Sequence, residues 1–174
     1  MKSKKIIYCL MALCLFTLNS CGPDNVQYAD KVKGDYNIRI TPNLTIKYEG
    51  MVIPMTFEDI NTKANISKVD EEGNVILTIN GINGKINDIV MEAYCSGLGM
   101  NLEDSSYDGV IITDSYVRMD CNLTLKNPTV TISNAKVLNW SSTVSGKCEM
   151  DYNGLPIICE VSGNMSFYAT YIYE

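Results

Sequence analysis

Val117-Arg118-Met119-Asp120-Cys121-Asn122-Leu123-Thr124-Leu125 alternates without a fault: each odd position is apolar and each even one polar. Successive side chains of a β-strand point to opposite faces, so this stretch reads as a strand with one face in a core and the other in water. Working outward, Met51, Ile53, Met55 and Phe57 form a similar stripe, as do Met165, Phe167, Ala169, Tyr171 and Tyr173. Shorter alternations predict strands over 35–40, 43–49, 63–69, 74–80, 85–92, 109–113 and 129–133. Gly, Asn and Asp recur between them at the spacing of turns, and no window shows a helical period. The expected fold class is all-β: an antiparallel barrel or sandwich of roughly eight to ten strands.

One hairpin can be drawn in register. Asn153-Gly154 suits a type I′ turn, in which both central residues must accept positive φ. Centring the hairpin there pairs Tyr152 with Leu155, Met150 with Ile157, Cys148 with Cys159 and Val144 with Gly163, all on one face. Lys147, Glu149 and Asp151 fall on the other, so turn and pattern demand the same register. Tyr48-Glu49-Gly50-Met51-Val52-Ile53-Pro54 echoes Tyr152-Asn153-Gly154-Leu155-Pro156-Ile157, as expected of a domain assembled from hairpins.

The N-terminus carries a different signal. Lys2, Lys4 and Lys5 precede an apolar run from Ile6 to Leu18, long enough for a signal peptide and short for a membrane span, which needs ~20 residues. Leu18-Asn19-Ser20-Cys21 follows and resembles the lipobox of bacterial lipoproteins, with Cys21 as the lipid acceptor. The expected organisation is a signal peptide over 1–20, a lipidated tether over 21–32 and a single all-β domain over 33–174. The mature chain would hold 174 − 20 = 154 residues, a one-domain length. Loss of three lysines leaves 14 − 3 = 11 basic against 20 acidic side chains, a formal charge of −9. Such a chain gains no counterion-release energy from nucleic acid, so nucleic acid is not an expected partner. The membrane is expected to be met through the lipid alone, at the outer membrane. With only Asp24 as an acid close behind Cys21, the periplasmic face is preferred to the cell surface.

The opening Lys33-Gly34-Asp35-Tyr36-Asn37, the first hairpin at Tyr48–Pro54, the middle segments Leu77–Ile82 and Ile86–Val90 and the closing hairpin at Tyr152-Asn153-Gly154 follow one another in an order that resembles the calycin-like (lipocalin-like) β-barrel lipoproteins of Bacteroidetes. The resemblance spans most of residues 33–170 and implies a barrel-like antiparallel sheet, with no catalytic motif to carry over. Four mature cysteines, Cys95, Cys121, Cys148 and Cys159, depart from that pattern.

Enzymatic chemistry finds little to work with. The chain has no histidine, which removes Ser-His-Asp and Cys-His catalysis and HExxH zinc sites. No P-loop, GxSxG or GxGxxG is present. Glu58, Asp59, Glu103, Asp104 and Asp108 are the carboxylates a glycosidase would have to recruit, and acids in turns are usually just solvated. Asp104–Gly109 has the oxygen spacing of a calcium loop but offers Ser115 where a bidentate Glu belongs. No catalytic residue, metal or cofactor is expected. Disulfides are permissible in an exported protein, with Cys148–Cys159 the candidate pair and Cys95–Cys121 left over. Met119, Met150, Ile157, Met165, Phe167 and Tyr171 are expected to line a cavity or fill the core. The leading functional expectation is a non-catalytic, lipid-anchored binder of an apolar or amphipathic small ligand. The alternative is an envelope accessory protein that holds another protein through a sheet edge or loops.

Overall fold

A computed structural model describes residues 24–82, 86–96, 99–132 and 136–173. Hydrogen bonding between its strands closes on itself. After a helix, α1 (Asp24–Val32), come β1 (Gly34–Tyr48), β2 (Met51–Ile53), β3 (Ile60–Lys68), β4 (Asn74–Ile79), β5 (Ile89–Ser96) and β6 (Gly99–Leu102). Then follow β7 (Ser105–Ile112), β8 (Arg118–Lys126), β9 (Thr129–Ile132), β10 (Val137–Tyr152) and β11 (Leu155–Tyr171). Ladders run β1–β3–β4–β5–β6–β9–β10–β11 and back from β11 to β1, every one antiparallel.

Two pairs of short strands are pieces of longer ones. Gly99 faces Thr131, Ser105 faces Leu125 and Ile112 faces Arg118, a single register from end to end. Thus β6 with β7 is one strand interrupted at Glu103-Asp104, and β8 with β9 is its partner, interrupted at Asn127-Pro128. Pro128 has no N–H to give a ladder. Asn127 takes over locally: its N donates to Asp104 Oδ1 (3.1 Å) and its Nδ2 to the Glu103 carbonyl (2.7 Å). Ser142 Oγ, buried on β10, donates to Asn127 Oδ1. Between Asn139–Thr131 and Thr143–Lys126, β10 advances four residues while its partner moves five, which is a bulge at this kink. With the pieces joined, the sheet is an eight-strand barrel in which each strand pairs with its neighbours in sequence, an up-and-down meander.

The alternation that announced the fold is the alternation of burial. Met119, Cys121, Leu123 and Leu125 of β8 are buried, with exposed residues between them. The Asn153-Gly154 turn has φ of 55° and 82°, and the pairs Tyr152–Leu155, Met150–Ile157, Cys148–Cys159 and Val144–Gly163 stand as expected. Glu49 and Gly50, at φ 49° and 81°, repeat that turn between Tyr48 and Met51. The stripe from Met51 to Phe57 is a strand only to Ile53; beyond it, Met55 and Phe57 still pack on the core. Two strands expected over 35–40 and 43–49 are one, β1, and β5 lies later than the 85–92 expected.

Within the span expected as a tether, 21–32, residues 24–32 form α1, which lies against β3 and β5 at one end of the barrel. Ala29 and Val32 are buried in the core, Tyr36 Oη donates to the Val32 carbonyl (2.6 Å), and Asp30 lies 3.6 Å from Lys68 Nζ. A helix of nine residues is too short for a readable period and is marginal by itself. Packing against the barrel stabilises it.

Candidate functional site

Cys21, the expected lipid acceptor, lies outside the described residues. Of the expected cavity-or-core set, Met119 and Phe167 have no accessible area, and Met150 and Met165 are buried. Ile157 and Tyr171 are half-buried against the same core. A side chain with no accessible area touches no space that would admit even a water molecule. Tyr36, Ile40, Ile66, Met91, Met100, Leu123 and Leu125 share that state, and Leu77 is buried beside them, on strands all round the ring. Around these positions the barrel axis is filled by side chains. Trp140, whose role the sequence left open, belongs to this core, its ring stacked on Phe167 at 4.6 Å. Its Nε1–H is buried without an acceptor.

Three of the four cysteines among the described residues stand in a row. Cys148 is paired with Cys159 on β11 and with Cys121 on β8, all three buried on the inner face. Cys148 Sγ is 3.8 Å from Met119 Sδ. The three thiols are free, as is Cys95. Cys95 does not accompany Cys121: it pairs with Met100 at the α1 end. Burial pushes the Cys95 thiol up to about 11. In the row, the Cys121 thiol, and after it that of Cys159, hold Cys148 below the ordinary thiol value against the effect of burial. The Cys121 and Cys159 thiols are raised.

The acids separate. Asp104 serves the β6–β7 kink, and Asp108 is exposed on a strand rather than on a calcium loop. Asp59 lies 3.9 Å from Arg39 Nε on the surface. Among the described residues no cluster of three or more acidic, thiol or imidazole groups is arranged to hold a metal ion.

What the barrel offers outward is concentrated at the end opposite α1. Here β1 turns into β2, β7 into β8 and β10 into β11. The three turns are neighbours: β11 pairs with β1 as far as Glu160–Lys47, and β10 with β8 as far as Met150–Met119. The β10–β11 hairpin overshoots, because β1 reverses at Glu49-Gly50 while β11 still has Leu155 to Ile158 beyond it. Residues on its inner face therefore run out of core to cover. Leu155 is 67% exposed, and Ile158, on the outer face, is exposed as well. Met51, 65% exposed, and its neighbour Val52 project from the β1–β2 tip, and Tyr116 from the β7–β8 turn. Inside this rim, Phe57, Ile60, Ile82, Ile111 and Ile112 share the lining of a cavity of about 260 Å³ with the polar Asn61 and Thr113 and the acids Glu58, Asp59 and Asp114. Asp114 N donates to the Thr56 carbonyl, tying the segment after β2 to the β7–β8 turn.

The sequence placed the two hairpin turns and their apolar followers but not the overshoot, which depends on where β1 ends relative to β11. No known protein family, curated protein or solved structure was found to match the chain.

Proposed function

We propose that this chain is a lipid-anchored, non-catalytic envelope protein that holds another protein through the hairpin end of its barrel. One observation carries the reading: two adjacent hairpins with equivalent type I′ turns are each followed by exposed apolar residues, Met51-Val52 and Leu155 with Ile158. Large apolar side chains grouped on a hairpin tip have no folding role there, and grouped apolar exposure marks surfaces that meet a partner. The packed interior weighs against a ligand held along the barrel axis. The eight-strand meander supports the resemblance to calycin-like lipoproteins without adding an activity, since fold does not fix function.

A second reading rests on the mouth cavity. Its mixed lining of isoleucines, Phe57 and three acids suits a small amphipathic molecule bearing a positive charge, although about 260 Å³ is below the usual range of ligand pockets, ~300–1,000 Å³. Native mass spectrometry of the full-length chain, extracted from its own membranes in mild detergent, separates the two. A protein partner retained by the native chain and lost in Leu155→Glu/Ile158→Glu supports the first. A retained small molecule that survives Leu155→Glu/Ile158→Glu and is lost in Ile111→Glu would replace it with the second.

A further inference from the structure

Cys121, Cys148 and Cys159 form a row across three adjacent strands, and Cys148 is the only one that touches both others. We propose that this row is a single-disulfide site in which Cys148 is the shared sulfur and Cys121 its preferred partner, with Cys159 left as a free thiol beside the bond. The preference follows from the ladder. Tyr152 and Leu155 close a two-residue turn, so they are a hydrogen-bonded pair, and the class alternates at each step along the hairpin. The register is unbroken to Cys148–Cys159, four residues along each strand, which is again a hydrogen-bonded pair. The N–H and C=O of Cys148 therefore both point toward β11. Toward β8 it presents the other class, so Cys148–Cys121 is a non-hydrogen-bonded pair. Such pairs have Cα atoms about 4.5 Å apart with side chains close, against about 5.5 Å for the other class. Both separations lie in the range a disulfide accepts, and the first brings the sulfurs nearer without moving the backbone.

Chemistry agrees with geometry. Among the three, Cys148 is the thiol held toward its thiolate, because its two neighbours can donate to it; the thiolate is the attacking species in exchange. With oxidised glutathione as the oxidant, Cys148 thiolate attacks one glutathione sulfur, forming a mixed disulfide and releasing glutathione thiolate. Cys121 thiolate then attacks the Cys148 sulfur and releases the second glutathione. The chain loses two electrons and two thiol protons, and one glutathione disulfide becomes two glutathione thiols. Burial of all three sulfurs places this exchange during folding or transient opening of the sheet at β7, which covers β8 and has no strand on its far side among the described residues.

The test is peptide mapping of the full-length chain refolded in a glutathione redox buffer, with free thiols trapped by alkylation. The predominant linked peptide should join Cys121 to Cys148, with Cys159 and Cys95 alkylated. In Cys121→Ala the bond should move to Cys148–Cys159, and in Cys148→Ala no link should form among Cys95, Cys121 and Cys159. Circular dichroism of each variant confirms that it has kept its β spectrum, and Cys159→Ala, which spares the preferred pair, must retain the link. A predominant Cys148–Cys159 link in the native chain, any link to Cys95, or full alkylation of Cys95, Cys121, Cys148 and Cys159 after refolding would each overturn the proposal.

Discussion

Tyr36 and Trp140 are both buried aromatics with a polar atom, yet only Tyr36 has a partner for it. Its hydroxyl donates to the carbonyl of Val32, the last residue of α1, and so holds the helix end to the first strand. Tyr36→Phe removes one atom and leaves that buried carbonyl short of a donor, a loss of about 1–3 kcal/mol. The urea midpoint should fall accordingly, with α1 the first element to lose amide-exchange protection; an unchanged midpoint would show that the bond contributes nothing net. Burial also raises the pKa of Tyr36, of Tyr107, pushed up to about 12, and of Cys95, pushed up to about 11. A folded-state value above the unfolded one means the folded chain holds its proton more tightly. The stabilisation is therefore whole below the unfolded values, 9.0 for Cys and 10.0 for Tyr, and is lost as pH rises through the folded ones. Thermal stability should decline between about pH 9 and 12. A flat profile there would mean these groups ionise without unfolding.

Glycines separate turn chemistry from packing at the scale of elements. Gly154 sits at φ 82° with open space where a Cβ would stand, so Gly154→Ala meets only backbone strain, roughly 1–2 kcal/mol. Gly163, at φ 143° on β11, would put a Cβ 2.2 Å from the Asn43 carbonyl oxygen and 3.0 Å from Leu44 Cα, both backbone atoms of β1. Gly163→Ala must push two paired strands apart and should cost well over the turn substitution, to the point of preventing closure. Thermal midpoints for the two variants, measured side by side, check the ordering; equal losses would contradict it. Legibility in the sequence divides along the same line. The β10–β11 register could be written down from Asn153-Gly154 and the alternation, because turn type and buried face are local and independent constraints. The four-residue β6 could not, and neither could the joining of β6 with β7 across Glu103-Asp104, because that kink is held by Asn127 from another strand. The Cys121–Cys148 neighbourhood was hidden for the same reason. β8 is separated from β10 in the chain by β9, and a bulge shifts the pairing between them, so nothing local set their offset.

Taken whole, the molecule has two unlike ends, and the proposed anchor belongs to one of them. Cys21 precedes α1 by three residues, a reach of at most about 11 Å for an extended chain. α1 is fixed to the barrel through Ala29, Val32 and Tyr36, at the end opposite the Glu49-Gly50 and Asn153-Gly154 turns. A lipid on Cys21 would therefore hold the α1 end against the bilayer and point the apolar hairpin tips away from it. Two measurements follow. Cys21→Ser should move the chain from the membrane to the soluble envelope fraction, and unchanged retention would remove the anchor from the argument. In the lipidated chain reconstituted in vesicles, fluorophores placed through Glu71→Cys, in the exposed turn beside α1, and through Asn153→Cys, at the far tip, should differ. Both labels can be placed selectively, since the described native thiols are buried. A headgroup-borne quencher should dim the Glu71 label and spare the Asn153 label. The reverse result would mean that the hairpin tips face lipid, and their exposed Leu155, Ile158, Met51 and Val52 would then be a membrane-contacting surface rather than a protein-docking one.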